Sequence, residues 1–496
     1  MRRMNTQAPF MPNALAYLML ILWPVVCLVL FRRLPMERAI IWSVLAGYLL
    51  LPPVAEFDLP LVPDMNKVSI PNISAFVLVL FYLKRPMSFW PGTWAMRILL
   101  VGFVLGVVPT VLSNGDPMQF TILGTTEPIS FVTASIPGLG WIDLFSVVSG
   151  QIIVLMPFFL ARNFLSSQEG LRDLLLALML GGLVYTVPSL IEIRLSPQIN
   201  VWVYGFFQHD FQQMMRDGGF RPIVFLPHAL WLAFFMMTAV VSAVALGRAA
   251  EGPEKARYFA AALYLFFVLV LSKSLASLTY ALLLVPVILL AGERLLLRVA
   301  IVMAGIAVLY PILRDNGWVP LEWIMAKAEA INPERAQSLG YRFDNEEILL
   351  ERAHEKWLFG WGGWGRNLVR DMQTGEIISI PDGEWIIVFG TFGWVGYLSQ
   401  MGLLAVPLFM LWRARRGARE AGGIYAGAMA LILAITLVDM LLNAILTPYT
   451  WLVAGAVWGH AEALRARQAA PDGGARDKAG RTVLADAPDR QGRTVL

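Results

Sequence analysis

The sequence predicts an all-α polytopic membrane protein with about 12–13 transmembrane helices and one large extracytoplasmic loop. Three observations carry this. First, the 496 residues are 57% hydrophobic and 15% charged, with a mean hydropathy of +0.63, far from the roughly 25% charged of a soluble domain. Second, the chain is a succession of apolar runs near the ~20 residues that a helix needs to span a bilayer. Third, a polar stretch of 70 residues, 314–383, interrupts that succession.

In chain order the spans fall near 13–31, 37–53, 72–83, 95–112, 142–161, 172–191, 223–247, 258–272, 276–291, 297–313, 385–412, 423–443 and 447–462. The first begins after Arg2-Arg3 and has no small-x-small cleavage site, so it reads as a retained helix, not a removed signal. Cys27, the single cysteine, sits inside it with no second thiol for a disulfide or a metal site. A continuous helix over 258–291 would be about 51 Å long at ~1.5 Å per residue, beyond the ~30 Å hydrocarbon core. A break at Ser272-Lys273-Ser274 is therefore expected. Residues 1–464 form one polytopic domain without internal repeats. From 465 the composition turns to Ala, Gly, Asp and Arg, and Gly-Arg-Thr-Val-Leu occurs twice, which predicts a disordered cytoplasmic tail over 465–496.

Short basic loops set the orientation, because Lys and Arg resist translocation. Arg32, Arg33 and Arg38, then Lys84 and Arg85, Arg162 and Arg172, Arg248 to Arg257, Arg294 and Arg298, and Arg413 to Arg419 occupy alternate connections. These belong in the cytoplasm. The connections 54–71, 113–141, 192–222 and 314–383 then face outward. Counting back places the N-terminus outside, against the pull of Arg2 and Arg3. The net charge of +4 is accounted for by these helix-end cations and argues for membrane lipids, not nucleic acid, as a partner.

On the outward side, 192–222 is dense in cations: Arg194, His209, Arg216 and Arg221, with His228 at the start of the next span. An arginine fork suits phosphate oxygens and stays charged at any relevant pH. Arg194 reads as snorkelling to headgroups, while Arg216 and Arg221 bracket Gly218-Gly219 and suit a lipid-linked pyrophosphate. Lys273 between two apolar arms is costly unless it reaches water, phosphate or substrate. Asp439 lacks the chain of titratable neighbours that a proton relay needs and reads as a helix–helix hydrogen bond. The large loop carries a helical stretch with Arg342 at its head and His354 near its end. Then come Trp361 and Trp364 among glycines, a turn whose indoles suit sugar rings or membrane anchoring. No Gly-Lys-Ser/Thr follows, so this is not a phosphate loop. Asp382 and Glu384 stand at the mouth of the next span, where the helix dipole also favours carboxylates.

Four pieces, Arg216-Asp-Gly-Gly-Phe, Ser272-Lys-Ser-Leu-Ala-Ser, Lys356-Trp-Leu-Phe-Gly-Trp-Gly-Gly-Trp-Gly and Phe389-Gly-Thr-Phe-Gly-Trp-Val-Gly, in that order over about 210–400, resemble the O-antigen ligase and polysaccharide polymerase (Wzy-like) superfamily of bacterial inner-membrane enzymes. The resemblance implies a multi-pass protein of that membrane and a metal-independent, cofactor-free glycosyltransferase. Its donor would be an undecaprenyl-pyrophosphate-linked oligosaccharide at the periplasmic face, with a flippase and a chain-length regulator as pathway partners. It implies a pyrophosphate clamp on Arg216, Arg221 and Arg342. Pyrophosphate is a good leaving group, so the remaining need is a base for the acceptor hydroxyl. Asp382 is preferred ahead of His354, Asp210 and Glu384, with Lys273, His209, His354, Trp361, Trp364 and Glu384 lining the substrate. Where ligases carry His-Asn, this chain has Asp382-Gly383-Glu384, which favours a polymerase. A ligase, a lipid-linked glycan or solute transporter, and a non-catalytic export scaffold stay open as alternatives.

Overall fold

A computed structural model describes residues 11–59, 62–123, 130–216, 218–416 and 423–469. The repeated tail beyond 469, Arg2, Arg3 and Arg419 lie outside the described residues. The fold is mostly helical, and seven helices are long and apolar enough to cross a membrane: Ala14–Arg33, Trp94–Leu112, Trp141–Phe164, Gln168–Leu195, Ala229–Ala249, Glu293–Asp315 and Glu384–Arg415. Several such helices make this a multi-pass membrane protein.

Each expected apolar segment coincides with a helix. In chain order these are α1 (Ala14–Arg33), α2 (Met36–Leu50), α3 (Ser69–Val77, prolonged by a π-turn over Leu78–Tyr82), α4 (Trp94–Leu105) and α5 (Val107–Leu112), α6 (Trp141–Phe164), and α7 (Gln168–Leu195). The short α8 (Ile199–Tyr204) precedes α9 (Ala229–Ala249), α10 (Gly252–Leu271), α11 (Leu275–Leu290) and α12 (Glu293–Asp315). Then follow α13 (Leu321–Ile331), α14 (Pro333–His354), α15 (Glu384–Arg416), α16 (Ile424–Asp439) and α17 (Pro448–Ala469). Several starts have a local chemical cause. Asn13 and Ser167 accept from Ala16 N and Gly170 N, the side-chain capping that satisfies otherwise orphaned helix N–H groups. The chain breaks between α10 and α11 at Ser272 to Ser274, with Lys273 at φ +53.

Four details depart from the sequence reading. Two small antiparallel pairs interrupt the all-α pattern: β1 (Met118–Leu123) with β2 (Ser130–Ile136), and β3 (Met215–Arg216) with β4 (Gly219–Phe220). The expected span at 223–247 starts as irregular chain, and α9 begins only at Ala229, because Pro222 and Pro227 interrupt helical hydrogen bonding. The helical stretch expected in 314–383 starts earlier, as α14 from Pro333, so that Arg342 lies in its middle and not at its head, and α13 precedes it. Finally, α17 continues to Ala469, past the expected boundary at 464.

The interior centres on α9 and α16, nearly all of whose side chains are buried, with α17 closing against α6. Arg162 on α6 spans that seam, pairing with Glu462 at 2.8 Å over the Trp458 ring. At this end of the bundle three other arginines are tied too: Arg38 to Asp173, Arg248 to the carbonyls of Ile288 and Ala291, and Arg415 to Glu293. The opposite end gathers the C-termini of α7, α10, α12 and α16 and the N-termini of α9, α11, α15 and α17. The candidate site lies there.

Candidate functional site

The 205–228 connection is held by side chains rooted in the bundle. Glu192, buried near the end of α7, accepts from Ile199 N (3.0 Å), Ile223 N (2.7 Å) and Val224 N (2.8 Å). Tyr185, two turns earlier on α7, accepts from Phe225 N and donates to Leu49 O. Gln208 donates to the carbonyls of Val224 and Leu226. Lys67, which enters from the 51–68 connection over the ring of Tyr48, donates to Phe225 O at 2.8 Å. Burial pulls the Lys67 ammonium down to about 7. With four consecutive residues pinned this way, Val224 is held at φ +52, a conformation costly for a β-branched residue.

Arg221 heads the pinned segment and is buried, its own N–H closing the β3–β4 hairpin onto Met214 O. Arg216 sits at the hairpin tip, and its guanidinium makes no hydrogen bond or ion pair among the described residues. Lys273, raised by the break between α10 and α11, donates to Arg216 O at 2.8 Å. Gly219 lets the lysine approach closely, since a Cβ there would lie 2.5 Å from Lys273 Nζ and push the ammonium aside. Two imidazoles complete this side, His209 and His228 packing edge to face with centroids 4.4 Å apart. His228 caps α9 by accepting from Leu230 N at Nδ1, which leaves its Nε2 facing Gln213 Oε1 at 3.5 Å. Burial, His209, Arg221, Arg342 and Arg216, in that order, push the His228 imidazole down to about 3. It is therefore a neutral group among cations.

Arg342 arrives from the middle of α14. Its Nη1 donates to Leu442 O and Asn443 Oδ1, both at 3.2 Å, and its Nε lies 3.7 Å from Asp382 Oδ2. Asn443 in turn donates to Asp439 Oδ1 at 3.0 Å, a bond between residues four apart at the end of α16 and not the helix–helix bond the sequence suggested. Burial raises the Asp382 carboxyl while Arg342 opposes the rise. α14 is itself fixed by Glu346, one turn beyond Arg342, which accepts from Tyr310 Oη, Arg314 Nε and Trp385 Nε1. Arg216, Arg221, Arg342, His209, Lys273 and Asp382 thus meet at one end of the bundle.

The other candidates lie elsewhere. His354 is twelve residues beyond Arg342 on the same helix, about 18 Å at ~1.5 Å per residue, and is half-exposed beside Asp315. Trp361 lies between cations, with Arg352 at 3.3 Å and Lys356 at 4.6 Å from its ring, and donates to Arg352 O. Trp364 is 68% exposed and donates to Asp143 Oδ1. Glu384, two residues from Asp382, faces away from Arg342 and accepts from Gln400 Nε2 at 2.8 Å.

The glycine-tryptophan segment has an architectural partner. Helix α15 is broken at Gly393, with φ +61 and ψ −163, and the chain of 357–362 lies against the break. Trp361 N and Gly362 N donate to the carbonyls of Gly390 and Thr391, while Trp394 N and Val395 N donate to those of Trp357 and Leu358. Backbone touches backbone. A Cβ at Gly360 would meet Thr391 C at 2.4 Å, and one at Gly393 would meet Leu358 C at 2.4 Å. The freed carbonyls and N–H groups of the broken helix are thereby satisfied inside the protein, as non-helical backbone at membrane depth requires.

Sequence reading missed Glu192, Tyr185 and Lys67 as the residues that hold the arginine loop. A carboxylate near the end of a 28-residue apolar helix is the signal that was available, because such a group is retained only with partners. No protein-family model matches the chain, and no curated protein matches it.

Proposed function

We propose that this protein polymerises lipid-linked oligosaccharide repeat units, with an undecaprenyl-pyrophosphate-type donor, on the extracytoplasmic face of a bacterial inner membrane. The observation that carries the reading is the convergence of Arg216, Arg221 and Arg342, from connections more than a hundred residues apart, with neutral His228 and with Asp382. Such a cluster suits a pyrophosphate at headgroup depth. The guanidiniums would stabilise charge on the leaving group. His228, with Nδ1 committed to the α9 cap, would add a neutral Nε2–H donor. In the reaction, the acceptor hydroxyl oxygen bonds to the anomeric carbon and the bond from that carbon to the phosphate oxygen breaks. Lipid pyrophosphate leaves with the electron pair, and Asp382 receives the hydroxyl proton. Its raised affinity for a proton suits that role.

The orientation has its own support. Arg38, Arg162, Arg248 and Arg415 lie at the end opposite this cluster, and basic connections stay in the cytoplasm. This supports the reading in which the 314–383 segment lies outside, in a protein of about 12–13 spans. Thiol labelling in intact cells tests it. Cys27 is fully buried and contributes little background, so a membrane-impermeant maleimide should label Met372→Cys and spare Glu251→Cys. The reverse pattern would sink the scheme.

Deletion of the gene should abolish long-chain surface or secreted polysaccharide while single repeat units persist on lipid. Full-length polymer accumulating on lipid would indicate a ligase instead. A transporter would use broken helices to coordinate a solute, and the break at Gly393 is such a feature. Its backbone groups are taken by residues 357–362, which removes them from that use.

A further inference from the structure

The cavity on the far side of Asp382 has a different character from the cluster that contains it. Between Arg342, Glu346 and Asp382 the free space is about 10 Å³, the size of a single water. Across the wall formed by 382–384 and 441–443, a cavity of about 240 Å³ opens among Asn72, Trp231, Glu384, Ala444, Thr447 and Trp451. That is many times the space of a single water on the same measure, enough for one six-membered sugar ring with its hydroxyls.

We infer that this cavity binds an uncharged sugar unit of the growing glycan, beside the anion cluster and separate from it; the inference rests on the polymerase reading. Its lining carries a carboxylate and neither lysine nor arginine, so a phosphate would be repelled while hydroxyls would not. Asn72 Oδ1 is buried and has no hydrogen-bond partner among the described residues, although Asn72 Nδ2 is engaged by Ile153 O at 3.3 Å. A buried acceptor left unsatisfied in the protein is costly unless a ligand or water supplies the donor. Glu384 is oriented by Gln400, and Thr447 Oγ1 lies 2.9 Å from Thr450 Oγ1. Trp231 contributes an aromatic wall stacked on Tyr48. Few polar groups on an apolar, aromatic lining is the usual make-up of a small-ligand site. The two sites share a wall: Glu384 N donates to Asn443 O, and Arg342 donates to Asn443 Oδ1. A sugar in the cavity and a pyrophosphate in the cluster would lie on either side of it.

The test uses the purified full chain in lipid nanodiscs and two probes in calorimetric titrations. One is the free oligosaccharide released by mild acid from the repeat units that the deletion strain accumulates; the other is inorganic pyrophosphate. Ala444→Phe, which fills the cavity, should weaken oligosaccharide binding by about tenfold or more and leave pyrophosphate binding unchanged. Arg216→Ala should do the opposite. If Ala444→Phe loses both ligands, Thr447→Val, which keeps the volume, decides: selective loss of oligosaccharide supports the inference, and full retention overturns it. Unchanged oligosaccharide binding in Ala444→Phe, or none in the unmodified protein, also overturns it. A deletion strain without lipid-linked repeat units would overturn the polymerase reading, and this inference with it. Repeat units that accumulate but fail to bind overturn the inference alone.

Discussion

Two regions of this protein are rich in the same residue types and use them differently. Around Trp361, Lys356 ends on Ser113 O and Asn114 Oδ1, Arg366 on the carbonyls of Pro137 and Asp116, and Arg352 on Glu355 and Arg366 O. These cations stitch the β1–β2 segment to the chain before α15. Around His228, burial first and then His209, Arg221, Arg342 and Arg216 disfavour the protonated imidazole. Arginine density alone does not distinguish architecture from chemistry. The aromatic groups beside the cations do: the Trp361 indole in the first region, the His209 and His228 imidazoles in the second.

The largest expected effect falls at Arg216. If its fork holds pyrophosphate, Arg216→Ala should abolish polymer. Arg216→Lys should lower the rate about 100- to 1000-fold, the ~2.7–4 kcal/mol typical of one preorganised contact. Abundance in the membrane should stay normal, because the guanidinium makes no hydrogen bond or ion pair among the described residues. Polymer at wild-type level in Arg216→Lys would erase the contrast between the regions. The second effect is structural. Gly393→Ala places a Cβ into Leu358 backbone at positive φ, costing on the order of 3 kcal/mol. Melting temperature and abundance should fall together, and activity per folded molecule should hold. A stable Gly393→Ala protein without activity would instead move the chemistry to the glycine-tryptophan region.

The smallest effect is a pH dependence. The folded His228 is pushed down to about 3 from an ordinary 6.5. Between those values the unfolded chain binds a proton that the folded chain refuses, so this residue lowers stability as pH falls through that window. His228→Gln should make the melting temperature less sensitive to acid between about pH 6.5 and 4.5. Parallel curves for the two proteins would show that the cations do not crowd this imidazole.

The helices were legible in the sequence because burying ~20 apolar residues in lipid leaves few alternatives, and the break at Ser272 to Ser274 followed from length alone. Arg216 and Arg221 were legible as charge density beside a span, whereas Arg342 was joined to them only through the family resemblance. What was not legible depends on contacts far apart in sequence. Nothing local in Gly360 or Gly393 says that each exists to admit the other. Asp382 and Glu384 read as a pair, yet they line different cavities, since Gly383 packs against Leu441 O and divides them.

Arg342 has a further consequence for how the molecule is made. Its partners at Leu442 and Asn443 emerge from the ribosome a hundred residues later, and the Arg162–Glu462 seam spans three hundred. Synthesis therefore delivers the cation-bearing hairpin well before the wall that completes its surroundings. The cluster is assembled only when α16 and α17 slot into the bundle, late in biogenesis. A chain stopped after α15 would carry Arg216, Arg221 and Arg342 without the Leu442 carbonyl and the Asn443 side chain that orient Arg342.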